Sequence, residues 1–213
     1  MRLSAPLLCL ALLAPAGCAP RPVPAVPPRP APAAEPPAVP APPIVPRAAW
    51  GAQPPVAPMQ RHAIRRITIH HTASLQRPDR TLQDKLRGLQ RFSQTESPLA
   101  DGRTKPPWPD IPYHYYVDLE GRIAEAREVE YAGDSNTAYD PTGHLLIVLE
   151  GNFEIEYPTA PQMESLRRLV RWASLRWGVP AEGIGKHNDF ADTACPGDHL
   201  EVQLPRLREL AGG

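Results

Sequence analysis

Near the C-terminus, His187-Asn188-Asp189-Phe190-Ala191-Asp192-Thr193-Ala194-Cys195-Pro196-Gly197 places one histidine and one cysteine eight residues apart. Imidazole nitrogen and thiolate sulfur are preferred donors for zinc. Upstream, Ile67-Thr68-Ile69-His70-His71-Thr72 ends a β-branched run in two histidines and offers a third donor. Three protein donors leave one position of a tetrahedral ion open to water, the arrangement of a catalytic rather than a structural site. The residue types therefore point to a hydrolase using a single Zn2+ ion. The chain has three cysteines, two of them at Cys9 and Cys18, so Cys195 has no intrachain disulfide partner in the folded part. A lone cysteine is a buried small hydrophobe or a metal ligand, and the Cys-Pro-Gly turn after a histidine favours the ligand.

These donors need elements to position them. Ile64–Ile69, Tyr113–Leu119, Ile123–Val129 and Leu145–Glu150 are β-branched or aromatic runs bounded by turn residues and read as strands. Asp118-Leu119-Glu120-Gly121-Arg122 reads as a hairpin turn. Thr81–Phe92 carries Leu82, Leu86, Leu89 and Phe92 at helical spacing, as Thr159–Trp177 does with Met163, Leu166, Leu169, Val170, Ala173 and Trp177. Thr159 with Gln162 predicts a capping box, and Gly178-Val179-Pro180 closes that helix. The expected fold class is α/β (α+β), a central mixed sheet flanked by helices in one domain. Alternation along a strand sends His70 and His71 to opposite faces, so one of them reaches a given metal. His187 and Cys195 are expected on a loop between the second long helix and a C-terminal helix. The Pro-rich loop from Ser97 to Pro112, with Trp108, is long enough for a functional rim or lid; a plain surface insertion is the alternative.

The N-terminus bears on location. Met1-Arg2 and the apolar stretch around Leu7–Leu13 read as an export signal, too short to span a bilayer as a mature helix. Ala14-Pro15-Ala16-Gly17-Cys18 resembles a bacterial lipoprotein cleavage box, which would leave a lipid on Cys18. Pro15 stands where such boxes usually carry Leu, so ordinary secretion stays open. Ala19, where an inner-membrane retention signal usually has Asp, favours the outer membrane, facing the periplasm. The expected organisation is a signal peptide over 1–17, a Pro/Ala-rich tether over 18–46 and the catalytic domain over 47–213. The Pro-rich part has the composition of a polyproline II spacer reaching roughly 80 Å; a featureless linker is the other reading. Lys+Arg and Asp+Glu both total 23, and that balance argues against a nucleic-acid partner. A monomer is expected.

Five segments occur in order: Arg47-Ala48-Ala49-Trp50-Gly51-Ala52, Ile69-His70-His71-Thr72, Pro112-Tyr113-His114-Tyr115, Glu150-Gly151-Asn152-Phe153 and Thr193-Ala194-Cys195-Pro196-Gly197. Together they resemble the zinc amidase family that includes peptidoglycan recognition proteins and phage T7-type lysozyme amidases. The resemblance implies hydrolysis of the amide between N-acetylmuramic acid and L-alanine, with peptidoglycan or muropeptides as substrate. It assigns His70, His187 and Cys195 as zinc ligands and a catalytic role to Tyr113, with Thr193 adding a polar contact. Some members carry a general-base glutamate where Val148 stands. Glu150, on the same strand face, is the candidate substitute, although a solvated strand-end carboxylate is the alternative. A lysine-assisted mechanism is excluded by Thr193. Asp189 and His71 are candidates for orienting the ligands. The same fold also implies an alternative, a peptidoglycan-binding recognition lipoprotein without catalysis.

Overall fold

A computed structural model describes residues 39–99 and 102–211, so the signal segment, Cys18 and most of the tether lie outside the described residues. In chain order the first elements are β1 (Ile44–Val45), α1 (Arg47–Trp50), β2 (Arg66–His71) and α2 (Leu82–Gln94). A small hairpin of β3 (Ser97–Pro98) and β4 (Thr104–Lys105) precedes β5 (Tyr115–Val117), β6 (Ile123–Glu125) and β7 (His144–Leu149). The long helix α3 (Ala160–Trp177), β8 (Ile184–Lys186) and the short helices α4 (Asp198–Glu201) and α5 (Leu204–Arg208) follow. Six strands form one mixed sheet in the order β1-β6-β5-β7-β2-β8, in which β5 and β6 run antiparallel and every other pair is parallel. The expected α/β architecture, a mixed sheet flanked by helices, is the one observed.

Both faces of the central strands are covered, which explains the unbroken apolar run Leu145–Leu149. On one face Ile67, Ile69, Ile147 and Leu149 pack with Leu166, Leu169, Val170 and Ala173 of α3. On the other, Tyr116 and Val148 pack with Trp50 of α1 and with Leu82 and Leu86 of α2. Among the described residues no helix is long and apolar enough to cross a membrane.

Helix starts follow the side chains read from the sequence. Thr81 accepts a hydrogen bond from the Asp84 N–H at 3.2 Å. Thr159 and Gln162 form the reciprocal capping box, at 3.2 and 3.0 Å, and the Thr159 hydroxyl also donates to the Leu119 carbonyl at 2.7 Å. That last bond ties α3 to the β5–β6 turn.

Several strand limits differ from the sequence reading. Tyr113 precedes β5 rather than belonging to it. At His114 the backbone N–H still donates to the Leu146 carbonyl at 2.9 Å, but the Leu146 N–H goes to the His114 side chain, through Nδ1 at 2.8 Å, rather than to a neighbouring carbonyl. β6 stops at Glu125, because the buried Arg127 donates to the carbonyls of Asp110, Ile111 and Ala132 and turns the chain off the sheet. Two strands went unread. Ile44–Val45, counted with the tether, pairs with Ile123 and Ala124. Ile184-Gly185-Lys186 is too short, and interrupted by glycine, to show a period of two.

Replacing Thr159 with Ala removes the cap and the bond to Leu119. We expect a loss of about 1–2 kcal/mol and a melting temperature lower by roughly 2–8 °C, read by thermal unfolding of the metal-free protein.

Candidate metal centre

The parallel register of β2 and β8 sets the site. Ile69 lies beside Lys186, so the next residues along, His70 and His187, meet at the carboxyl edge of the sheet. Their rings are 4.6 Å apart, centroid to centroid. His187 thus ends a strand and opens a short turn, rather than sitting mid-loop as expected. Asp189 holds that turn through the Lys186 N–H at 3.0 Å and the Lys186 ammonium at 2.8 Å; it stabilises the turn and does not touch a ligand ring.

Cys195 arrives on the following loop. The Asn188 N–H donates to the Cys195 carbonyl at 3.0 Å, which closes the segment between the two donors. Gly197, at φ +90°, lets this turn lie against the Phe153–Glu154 backbone. A Cβ there would come within 2.4 Å of the Phe153 carbonyl carbon, so only glycine fits. One ligand atom each from His70, His187 and Cys195 falls within 4.8 Å of the others. His71 points to the opposite face, as alternation requires. Its Nδ1 accepts the Phe153 N–H at 3.2 Å, while its own backbone N–H serves the Cys195 sulfur.

Two features of the donors favour a cation. His70 Nε2 is buried with no hydrogen-bond partner among the described residues, and Nδ1 meets only the Cys195 sulfur at 3.6 Å. Burial holds His70 and His187 neutral, the latter at about 4, so both are ready to donate lone pairs. Burial also pushes the Cys195 thiol up to about 12, a state that a bound cation reverses by favouring the thiolate.

The cluster lies in a cleft of about 670 Å³. Tyr113 lines it with its ring 5.2 Å from that of His70, and burial raises its hydroxyl well above the ordinary phenol range, so it remains a proton donor. Thr193 lines it too. Its Oγ1 accepts the Cys195 N–H at 3.2 Å, leaving its own proton free.

Glu150 is not brought to this cleft. It is 3% exposed, so the solvated reading is corrected. Its Oε1 accepts the Arg77 N–H at 2.9 Å. Oε2 lies 2.9 Å from the Lys85 ammonium, a charge contact that lacks hydrogen-bond direction. Burial of the ion pair beneath α2 turns the carboxylate away from the chemistry.

Sequence reasoning missed Asp134 and Glu154, the carboxylates on the cleft wall. Asp134 pairs with the buried Arg127. Glu154 directly follows the Gly-Asn-Phe segment, and that adjacency was the available signal. The Ser97–Pro112 loop proves to be a rim: Leu99, Arg103 and Trp108 line the cleft. The buried Lys105 fastens it by donating to the carbonyls of Ser93 and Pro106 at 2.8 and 2.7 Å, under the Trp108 ring.

Residues 60–198 match the family model for N-acetylmuramoyl-L-alanine amidase. The chain belongs to this amidase family. A pig N-acetylmuramoyl-L-alanine amidase is 28% identical over 138 residues, 62% of this chain and 21% of the relative, so the chain spans about a fifth of that protein's length. The crystal structure of Drosophila peptidoglycan recognition protein SD superposes with a TM-score of 0.65 at 26% identity, covering 77% of this chain and 94% of that one. Peptidoglycan recognition protein-LE, solved in complex with tracheal cytotoxin, a monomeric diaminopimelic acid-type peptidoglycan, gives 0.62 at 26% identity, covering 75% and 92%. The family thus contains both named amidases and named recognition proteins.

The amidase domain carries histidines held neutral by burial: His71 and His144 at about 4 and His114 at about 3. The unfolded chain protonates them near 6.5, whereas the folded chain does not. Stability is therefore full above pH 6.5 and is lost as pH falls toward about 4. Urea unfolding of metal-free protein should show a lower midpoint at pH 5 than at pH 7; an unchanged midpoint would contradict this burial account.

Proposed function

We propose that the chain is a zinc-dependent N-acetylmuramoyl-L-alanine amidase that cleaves the bond between N-acetylmuramic acid and the L-alanine of the stem peptide. The observation that carries this reading is the convergence of His70, His187 and Cys195, two neutral nitrogens and one thiol, on the wall of an open cleft. Family membership and a relative solved with a muropeptide support the substrate class.

His70, His187 and Cys195 would hold the ion. Bound there, zinc supplies a Lewis acid and a water of lowered pKa, which an unreactive amide requires. The other roles belong to the chain. Tyr113, kept protonated by burial, donates to the amide oxygen as negative charge develops on it. Thr193 offers a second hydroxyl from the Cys195 turn. Glu154 is the cleft carboxylate without an ion pair among the described residues; its Oε1 accepts the Asp198 N–H at 3.2 Å, and it is the candidate for exchanging protons with the reacting groups. Glu150, held by Lys85 and Arg77, takes no part in proton transfer.

The test is release of free L-alanine amino termini from purified peptidoglycan and from muropeptides, with and without zinc. We expect zinc-dependent release, abolished in Cys195→Ala together with metal binding. In Tyr113→Phe, release should fall by about 10²–10³-fold with metal content retained. Saturable muropeptide binding without release would assign recognition in place of catalysis.

On the sequence alone we also propose that the chain is exported and anchored through a lipid on Cys18, in the outer membrane facing the periplasm. Palmitate labelling of the full chain in a bacterial host should be lost in Cys18→Ala; an unlabelled parent protein would rule the anchor out.

A further inference from the structure

Beyond the three donors, the loop from Asp134 to Tyr139 grips one of them. Thr137 Oγ1 lies 2.7 Å from His187 Nε2, and the Tyr139 ring packs 5.0 Å from the His187 ring. Arg127 anchors this loop from below through Asp134. Ser135 Oγ lies 2.7 Å from Thr137 Oγ1 and accepts the Thr137 N–H at 3.1 Å. Each end of the loop is therefore fixed, and the threonine hydroxyl has little freedom to leave the ring.

We propose that Thr137 is a positioning residue that sets the tautomer of His187, keeping the proton on Nε2 so that the Nδ1 lone pair faces the metal. The inference rests on reading the cluster as a metal centre. The hydroxyls allow two proton arrangements, and coordination selects between them. A neutral imidazole carries one N–H. In one sense of the chain, His187 Nε2–H donates to Thr137 Oγ1, whose own proton goes to Ser135 Oγ. That oxygen has two lone pairs and can also accept the Thr137 N–H. The imidazole and threonine protons are then both accepted, the proton of the half-buried Ser135 is left to solvent, and Nδ1 is free.

In the opposite sense, Ser135 donates to Thr137, Thr137 donates to Nε2, and the proton sits on Nδ1. That arrangement aims an N–H at the other two donors and blocks coordination. A hydroxyl beside the far nitrogen thus does for His187 what a carboxylate or carbonyl does at other histidine ligands. Thr137 needs its oxygen for this and not its methyl. Serine should replace it, whereas valine, of the same shape, should not.

The experiment compares wild type, Thr137→Val, Thr137→Ser and Ser135→Ala in two measurements that need no substrate: zinc affinity by competition with a chelating dye, and the His187 tautomer by ¹⁵N NMR of metal-free protein. We expect wild type and Thr137→Ser to show the Nε2-protonated form. Thr137→Val should show a mixture and bind zinc about 10–100-fold more weakly. Ser135→Ala should fall between them. Should Thr137→Val fail to fold, the Ser135→Ala intermediate and the Thr137→Ser match decide the question. Unchanged affinity and tautomer in Thr137→Val, or in Ser135→Ala if it alone can be measured, overturns the proposal. Zinc binding that follows this order without any wild-type turnover would leave the inference standing and remove the amidase reading.

Discussion

The pairing of β2 with β7 on one side and β8 on the other is the constraint on which the site depends. Because side chains alternate, a slip of one residue would turn His70 into the α3 core and His71 into the cleft. The register is held by what is buried. Ile67 and Ile69 must face α3, and Thr68 and His70 must then face α2. The same logic fixes β8, since Ile184 belongs to the α3 core and Lys186 stands beside Ile69. His70 and His187 are therefore positioned by apolar packing on the other face of the sheet.

Desolvation then decides the state of the polar groups on that face. His114, fully buried, is satisfied on both nitrogens, accepting the Leu146 N–H and donating to the Tyr131 carbonyl at 2.9 Å. His144 meets the Thr68 hydroxyl at 2.8 Å. The contrast with His70 is informative, because its environment is equally buried yet leaves Nε2 without a partner. A buried nitrogen in that condition costs free energy in the folded state. A cation held by His70, His187 and Cys195 would bind the folded chain and so couple metal affinity to stability.

Much of the site was legible because its residues sit in short local motifs. The His-His pair, the Thr-Ala-Cys-Pro-Gly turn and the Thr159–Gln162 cap each depend on neighbours in sequence, and each appears in the structure. What could not be read depends on distant partners. β8 is a strand only because β2 lies beside it. Glu150 looked like a solvated strand end because its partner, Lys85, is on a helix. Lys85 falls three residues after Leu82 and one before Leu86, on the apolar face, and that position was the only hint of its burial. Thr137 lies in an irregular loop with no period, and nothing local marks it as a neighbour of His187.

The removal of Glu150 from the cleft has a chemical consequence. The ligand group contains no carboxylate, so two neutral imidazoles and one thiolate contribute a single negative charge. A divalent cation held by them would keep net positive charge toward the open cleft, where a developing oxyanion would form. A carboxylate in contact with the ion would weaken that field while supplying a base. With Val148 at one candidate position and an ion-paired glutamate at the other, such a field would be kept without a base in contact with the ion. The cluster is bordered by neutral hydroxyls, those of Tyr113, Thr137 and Thr193, which add no negative charge. Glu154, on the exposed wall of the cleft, does add negative charge, and that charge reaches Cys195, where it disfavours the thiolate.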